Sequence, residues 1–109
     1  MHWYFYLAYF FGGAFLANSI PHIGNGVSGR PFQSPFAKPP GKGLSSSTVN
    51  VLWAFVNFAA GYLLMYRVGR FDPGSIIDLA AAAIGALVMS LMLATYFGRF
   101  HGGNAAASD

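Results

Sequence analysis

No cysteine occurs anywhere in the chain, which removes disulfides, thiolate nucleophiles and cysteine-ligated metals. Acid is nearly as scarce. Aspartate and glutamate together number three, too few for the paired carboxylates of general acid–base or glycosidic chemistry. Charged residues of both signs make up only 8% of the chain, against about 25% in a typical soluble domain. A soluble protein of 109 residues would struggle to cover its surface with so few. The six basic residues form no dense stripe, so nucleic acid is not an expected partner.

Catalytic motifs are missing as well. There is no H-E-x-x-H and no G-x-S-x-G. Gly41-Lys42-Gly43 has the lysine of a phosphate loop but not its spacing, and no strand precedes it. Gly24-x-Gly26-x-x-Gly29 has the glycine spacing of a dinucleotide fingerprint without its strand–helix context. His22 and His101 have no carboxylate or thiolate beside them at ligand spacing, whereas structural zinc takes four ligands. The chain therefore reads as a non-enzyme that holds neither metal nor cofactor.

What the sequence has in abundance is apolar run. Residues 3–20 carry no charge and are followed by Pro21, which predicts the end of a first helix. The front of that run is aromatic (Trp3, Tyr4, Tyr6) and lacks the basic start of a secretory signal. Residues 48–66 form a second uncharged run, opened by Ser45-Ser46-Ser47 and closed by Arg67. Residues 76–97 form a third, whose one charge, Asp78, fits a capping box with Ser75. The expected fold is all-α: an integral membrane bundle of three transmembrane helices in one domain, residues 1–101, with a disordered tail at 102–109.

Small residues recur along each run, as helices packed in lipid require. Ala8-x-x-x-Gly12 and Gly13-x-x-x-Ala17 lie on the first, Ala54, Asn57 and Gly61 on the second, and Ala81-x-x-x-Gly85 on the third. Gly12, Gly13, Asn57, Gly61 and Gly85 are thus the expected packing positions. Asn57 falls mid-run and needs a polar partner there, for which a glycine-exposed carbonyl or Ser90 is expected.

Residues 21–47 make a long Gly/Pro-rich loop containing five of the six prolines. Loops of this length are functional or disordered. Its prolines and the pair Phe32 and Phe36 predict an ordered lid over one end of the helices. Asn18, His22, Asn50, Tyr96, Arg99 and His101 gather at the loop-side helix ends, with Arg30 above them. Of these, Asn18, His22, Arg30, Asn50, Arg99 and His101 are the candidate site for an anionic lipid headgroup or other anionic ligand. Arg30, Lys38, Lys42 and Arg99 on the loop side outnumber Arg67 and Arg70 on the other, which predicts an external N-terminus and a cytoplasmic loop and C-terminus.

The block NSIPHIGNGVSGRPFQSPFAKPPGKGLSS resembles a stretch of small bacterial multi-helix membrane proteins to which no activity is attached. The resemblance covers about a quarter of the chain. It implies a bacterial inner membrane and nothing about chemistry. Function is read as that of an accessory or structural subunit, packed on another membrane protein or on copies of itself and bathed in anionic lipid. The alternative is a small ligand-, lipid- or ion-binding element built on the loop-side polar residues.

Overall fold

The computed structural model describes residues 2–103. They are mostly helical, with three helices joined by one long and one short connection. Helix α1 spans Tyr4–Val27, α2 spans Ser47–Leu63 and α3 spans Ile76–His101. A two-strand antiparallel ladder, β1 (Phe32–Gln33) with β2 (Leu44–Ser45), lies in the long connection.

α1 is longer than Pro21 predicts. The ring removes the N–H that would reach the Ala17 carbonyl, yet the helix continues for six more residues. Side chains add bonds to carbonyls near the break, though not to Ala17 O: Ser19 Oγ donates to Leu16 O, and Asn25 Nδ2 donates to Pro21 O at 2.8 Å. The true stop is Gly29, left-handed at φ 73°. Its N–H bonds Gly26 O while Arg30 N–H bonds Asn25 O, which is the Schellman closure.

α2 opens on Ser46, whose hydroxyl accepts from Val49 N–H. Beyond Leu63 it widens into a π-helical turn, Leu64–Val68, which leaves Met65 buried and Gly69 against the Tyr9 ring. Ser75 caps α3 by accepting from Asp78 N–H at 3.3 Å. Only half of the expected capping box forms. The Asp78 carboxylate reaches Asp72 N–H at 3.1 Å instead of Ser75 N–H, which is already taken by Asp72 O. Asp78 is buried, and its Oδ1 is the one enclosed side-chain polar atom without a partner among the described residues. α3 runs on to His101 and closes on Gly102, also left-handed. The disordered tail expected from Gly102 onward otherwise falls on residues 104–109, outside the described residues.

The central helix is α1. It packs on both α2 and α3, which hardly touch each other. Small residues set how close it comes. A Cβ on Gly85 would collide with the Phe10 carbonyl, and one on Gly13 with the Ala82 carbonyl, so α1 and α3 cross backbone to backbone. Gly12 and Gly61 face each other at the α1–α2 crossing, where a Cβ on Gly61 would come within 3.0 Å of Gly12 O.

What lies inside is unusual. The buried apolar residues are mostly alanine, with Tyr9, Phe32 and Met65 the large ones. No leucine, isoleucine or valine among the described residues is buried. The fully enclosed side chains are instead largely polar: Ser19, His22, Ser34, Asn50, Asn57 and Asp78. Two helices, Ser47–Val68 and Ile76–His101, are long and apolar enough to cross a membrane. α1 is long enough, but its Tyr, Asn, Ser and His residues make it less apolar than the other two.

Gly85→Val should destabilise the fold by about 1–3 kcal/mol or more, the range for overpacking, because the obstructing atom is backbone. Ala83→Val, on the exposed side of the same helix, should stay within about 0.5 kcal/mol. Reversible unfolding in detergent measures both, and equal effects would remove the backbone crossing from the account.

Candidate functional site

The long connection folds back over the ends of the helices. The ladder pairs Phe32 with Ser45 and Gln33 with Leu44. Ser34 ties the turn above it: its carbonyl accepts from Gly41 N–H at 2.8 Å, and its hydroxyl meets Ser45 Oγ at 2.6 Å. Gly41 sits at φ 74°, a conformation that other residues adopt only with strain. Its carbonyl accepts from Tyr96 OH at 2.8 Å, which fastens the turn to α3.

Asn50, on the first turn of α2 and fully buried, holds the connection from below. Its Nδ2 donates to Phe32 O, Ser45 O and Ser46 O at 3.0–3.1 Å. Turning the amide over would set its oxygen against three carbonyl oxygens, so its orientation is fixed. Its Oδ1 then faces His22 Nδ1 at 2.6 Å. An amide oxygen only accepts, so His22 donates from Nδ1, and in the neutral ring Nε2 keeps the lone pair. One turn toward the middle of α1, Asn18 Nδ2 donates to Asn57 Oδ1 at 2.9 Å, and Asn57 Nδ2 donates to Trp53 O.

The expected polar cluster therefore forms in part. Asn18, His22 and Asn50 come together, buried or half-buried, under the connection. Arg30 does not reach them; it is exposed, and its Nε donates to Asn25 Oδ1 at 3.3 Å. The Schellman closure turns the chain outward at that point. Arg99 is exposed as well and lies over the Tyr96 ring, 5.7 Å from its centroid. His101 stacks on Phe32 at 5.2 Å and bonds Gln33 Oε1 at 2.9 Å, and so is not a member of the Asn18–His22–Asn50 group. Asn57 finds Asn18 rather than a glycine-exposed carbonyl or Ser90, which lies in a separate cleft between α1 and α3. Of the two loop aromatics, Phe32 is buried but Phe36 is 63% exposed, touching Trp53 edge-on at 5.2 Å.

Two of the hollows among the described residues border the connection. The wider, about 520 Å³, lies between the loop-side halves of α1 and α3 and includes Ala17 and Pro21, the pair whose helical hydrogen bond is missing. The smaller, about 220 Å³, lies directly beneath the connection. Asn18 and His22 of α1 form its floor, Trp53 of α2 one wall, Tyr96 and Phe97 of α3 the other, and Gln33, Ser34 and Gly41 its roof. Leu93 and Phe97 border both cavities. No charged side chain lines the smaller one. His22 is 2% exposed, and its Nε2 has no hydrogen-bond partner among the described residues. Groups of three or more metal-ligating side chains are absent among the described residues.

Sequence reasoning missed Gln33, Ser34, Ser45 and the roof position of Gly41. Glycine before Lys42 and serine flanking the two short strands were visible, but a two-residue ladder leaves no periodic signature. Comparison with protein-family models, with curated proteins and with solved structures finds no match to this chain.

Asn50→Leu should strip one bonded partner from His22 and three carbonyls from the connection. With about 1–3 kcal/mol for a buried group left unsatisfied, it should cost about 2–4 kcal/mol and expose Lys38 and Lys42 to trypsin. Ser46→Ala, which removes only the helix cap, should cost about 1 kcal/mol. Unchanged trypsin cleavage in Asn50→Leu would mean that the amide does not hold the connection.

Proposed function

We propose that the chain is an integral membrane protein that acts without catalysis, as an accessory or structural subunit packed on a larger membrane complex or on copies of itself. The observation that carries this is the inverted distribution of side chains: leucine, isoleucine and valine outside, asparagine, histidine and serine inside. Contiguous exposed apolar surface on this scale marks a membrane or protein contact. Leu52, Phe55, Val56 and Leu63 cover the outer face of α2, and Ile84, Leu87, Val88 and Leu91 that of α3. At 1.5 Å per residue, α2 with its π turn is about 33 Å long and α3 about 39 Å, each enough for a hydrocarbon core of about 30 Å. α1 completes a three-span bundle as the helix packed on both of the others, with its own Leu7, Phe11, Phe15 and Ile20 exposed.

Anionic lipid headgroups and neighbouring membrane proteins are the expected surroundings. A bacterial inner membrane follows from the resemblance in the loop block. The four basic residues on the loop side against two on the other support an external N-terminus and a cytoplasmic loop. A second reading, a small ligand-binding element, is favoured by one observation, the uncharged cavity walled by all three helices and roofed by the connection.

Alkaline carbonate should leave the full chain in the membrane pellet, and release into the supernatant would end the membrane reading. In intact cells, Pro73→Cys on the short connection should react with an impermeant maleimide while Lys42→Cys is protected. The reverse pattern would invert the orientation. Cross-linking in membranes should trap a second membrane protein or a second copy, and a chain that remains single at native abundance would remove the subunit role.

A further inference from the structure

We infer that the 220 Å³ cavity is a binding site for a small neutral ring compound carrying a hydroxyl or N–H donor, received by His22 Nε2. This builds on the second reading above and is independent of the membrane reading.

The donor requirement comes from the tautomer. Asn50 has its Nδ2 spent on three carbonyls, so only its oxygen is available to His22, and Nδ1 must carry the proton. The lone pair on Nε2 then belongs to a ring that is almost wholly buried yet borders a cavity. Buried acceptors of this kind are ordinarily partnered. Nε2 has no partner among the described residues and is not fully enclosed, so a bound molecule can reach it from the cavity; the one fully enclosed unpartnered atom, Asp78 Oδ1, lies at the opposite end of α3.

Neutrality comes from the lining. No charged side chain borders the cavity, and an ion there would be desolvated without a counter-charge. The ring comes from the walls and the volume. Trp53 and Phe97 both stand edge-on to His22, at 6.4 and 6.1 Å, and Tyr96 stands beside Phe97. A cavity of about 150 Å³ is enough to take up benzene, so about 220 Å³ accommodates one substituted ring. Buried rotamers held by hydrogen bonds on the far side of His22 keep the acceptor pre-positioned, as a recognition site requires.

Phenol and anisole test this, being closely similar in shape but only phenol being a donor. The purified full chain in detergent micelles, labelled with ¹⁵N on histidine, should show His22 Nε2 unprotonated and Nδ1 protonated. Phenol should shift the Nε2 resonance on titration. Phenol should bind about fivefold to tenfold more tightly than anisole, the effect of about one hydrogen bond to a buried acceptor. His22→Ala should abolish that preference. Leu93→Trp, which narrows the cavity without touching the His22–Asn50 bond, should weaken phenol by at least as much, and it decides the matter should His22→Ala fail to fold. Equal binding of phenol and anisole would overturn the role of Nε2 while leaving a ring site. Binding of neither would overturn the ligand-binding reading with it, the cavity then holding water alone. A protonated Nε2 would overturn the inference at its first step.

Discussion

Asn50 bonds four groups from separate parts of the chain: His22 on the central helix, Phe32 and Ser45 on the two strands of the connection, and Ser46 at the cap of its own helix. In a chain whose core is alanine and glycine, no large aliphatic cluster is available to fix where the connection lies. The amide does that work by geometry. Because its nitrogen is committed to the roof, its oxygen is committed to the floor, and the protonation of His22 follows. Cavity, roof and acceptor are consequences of one side chain's hydrogen-bonding capacity.

The helices themselves were legible to different degrees for identifiable reasons. Runs two and three are uncharged stretches with capping serines, and α2 and α3 begin within a residue of where those signals put them. α1 runs past Pro21 because one proline removes a single helical hydrogen bond, and packing on α2 and α3 holds the helix through it. Gly29 supplies the stop eight residues later, and Asn25 Nδ2 donates to Pro21 O one turn before it. Asn25 and Gly29 were both in the sequence, four and eight residues beyond the proline. The extension matters for the site, since it puts His22 and Asn25 on the helix and carries Arg30 out beyond it.

For the polar residues, spacing along a helix was informative and proximity to a helix end was not. Asn18 and His22 are four apart, Asn50 and Asn57 seven apart, and the two pairs meet across antiparallel helices as His22–Asn50 and Asn18–Asn57. Arg30, Arg99 and His101 shared only their depth with that group, and each finds a different neighbour. Gln33 was invisible as a partner of His101 because 68 residues separate them and only the ladder brings them to one place.

Apolarity along the chain follows position in the fold. α1, flanked on both sides, carries Asn18, His22 and Asn25 together with Gly12 and Gly13, which let its neighbours approach. α3, packed on one helix only, is left with little but aliphatic side chains on its outer faces. Within the membrane reading this is a division of labour set by solvent. A helix meeting lipid gains from every aliphatic carbon, while one enclosed by protein must satisfy its backbone and can hold polar side chains only where partners are fixed. Such partners accumulate at the loop end, where the connection supplies carbonyls that a bare helix lacks. A cavity lined with hydrogen-bonding groups can therefore persist beneath that connection, and the same roof that satisfies Asn50 leaves His22 Nε2 without a partner among the described residues.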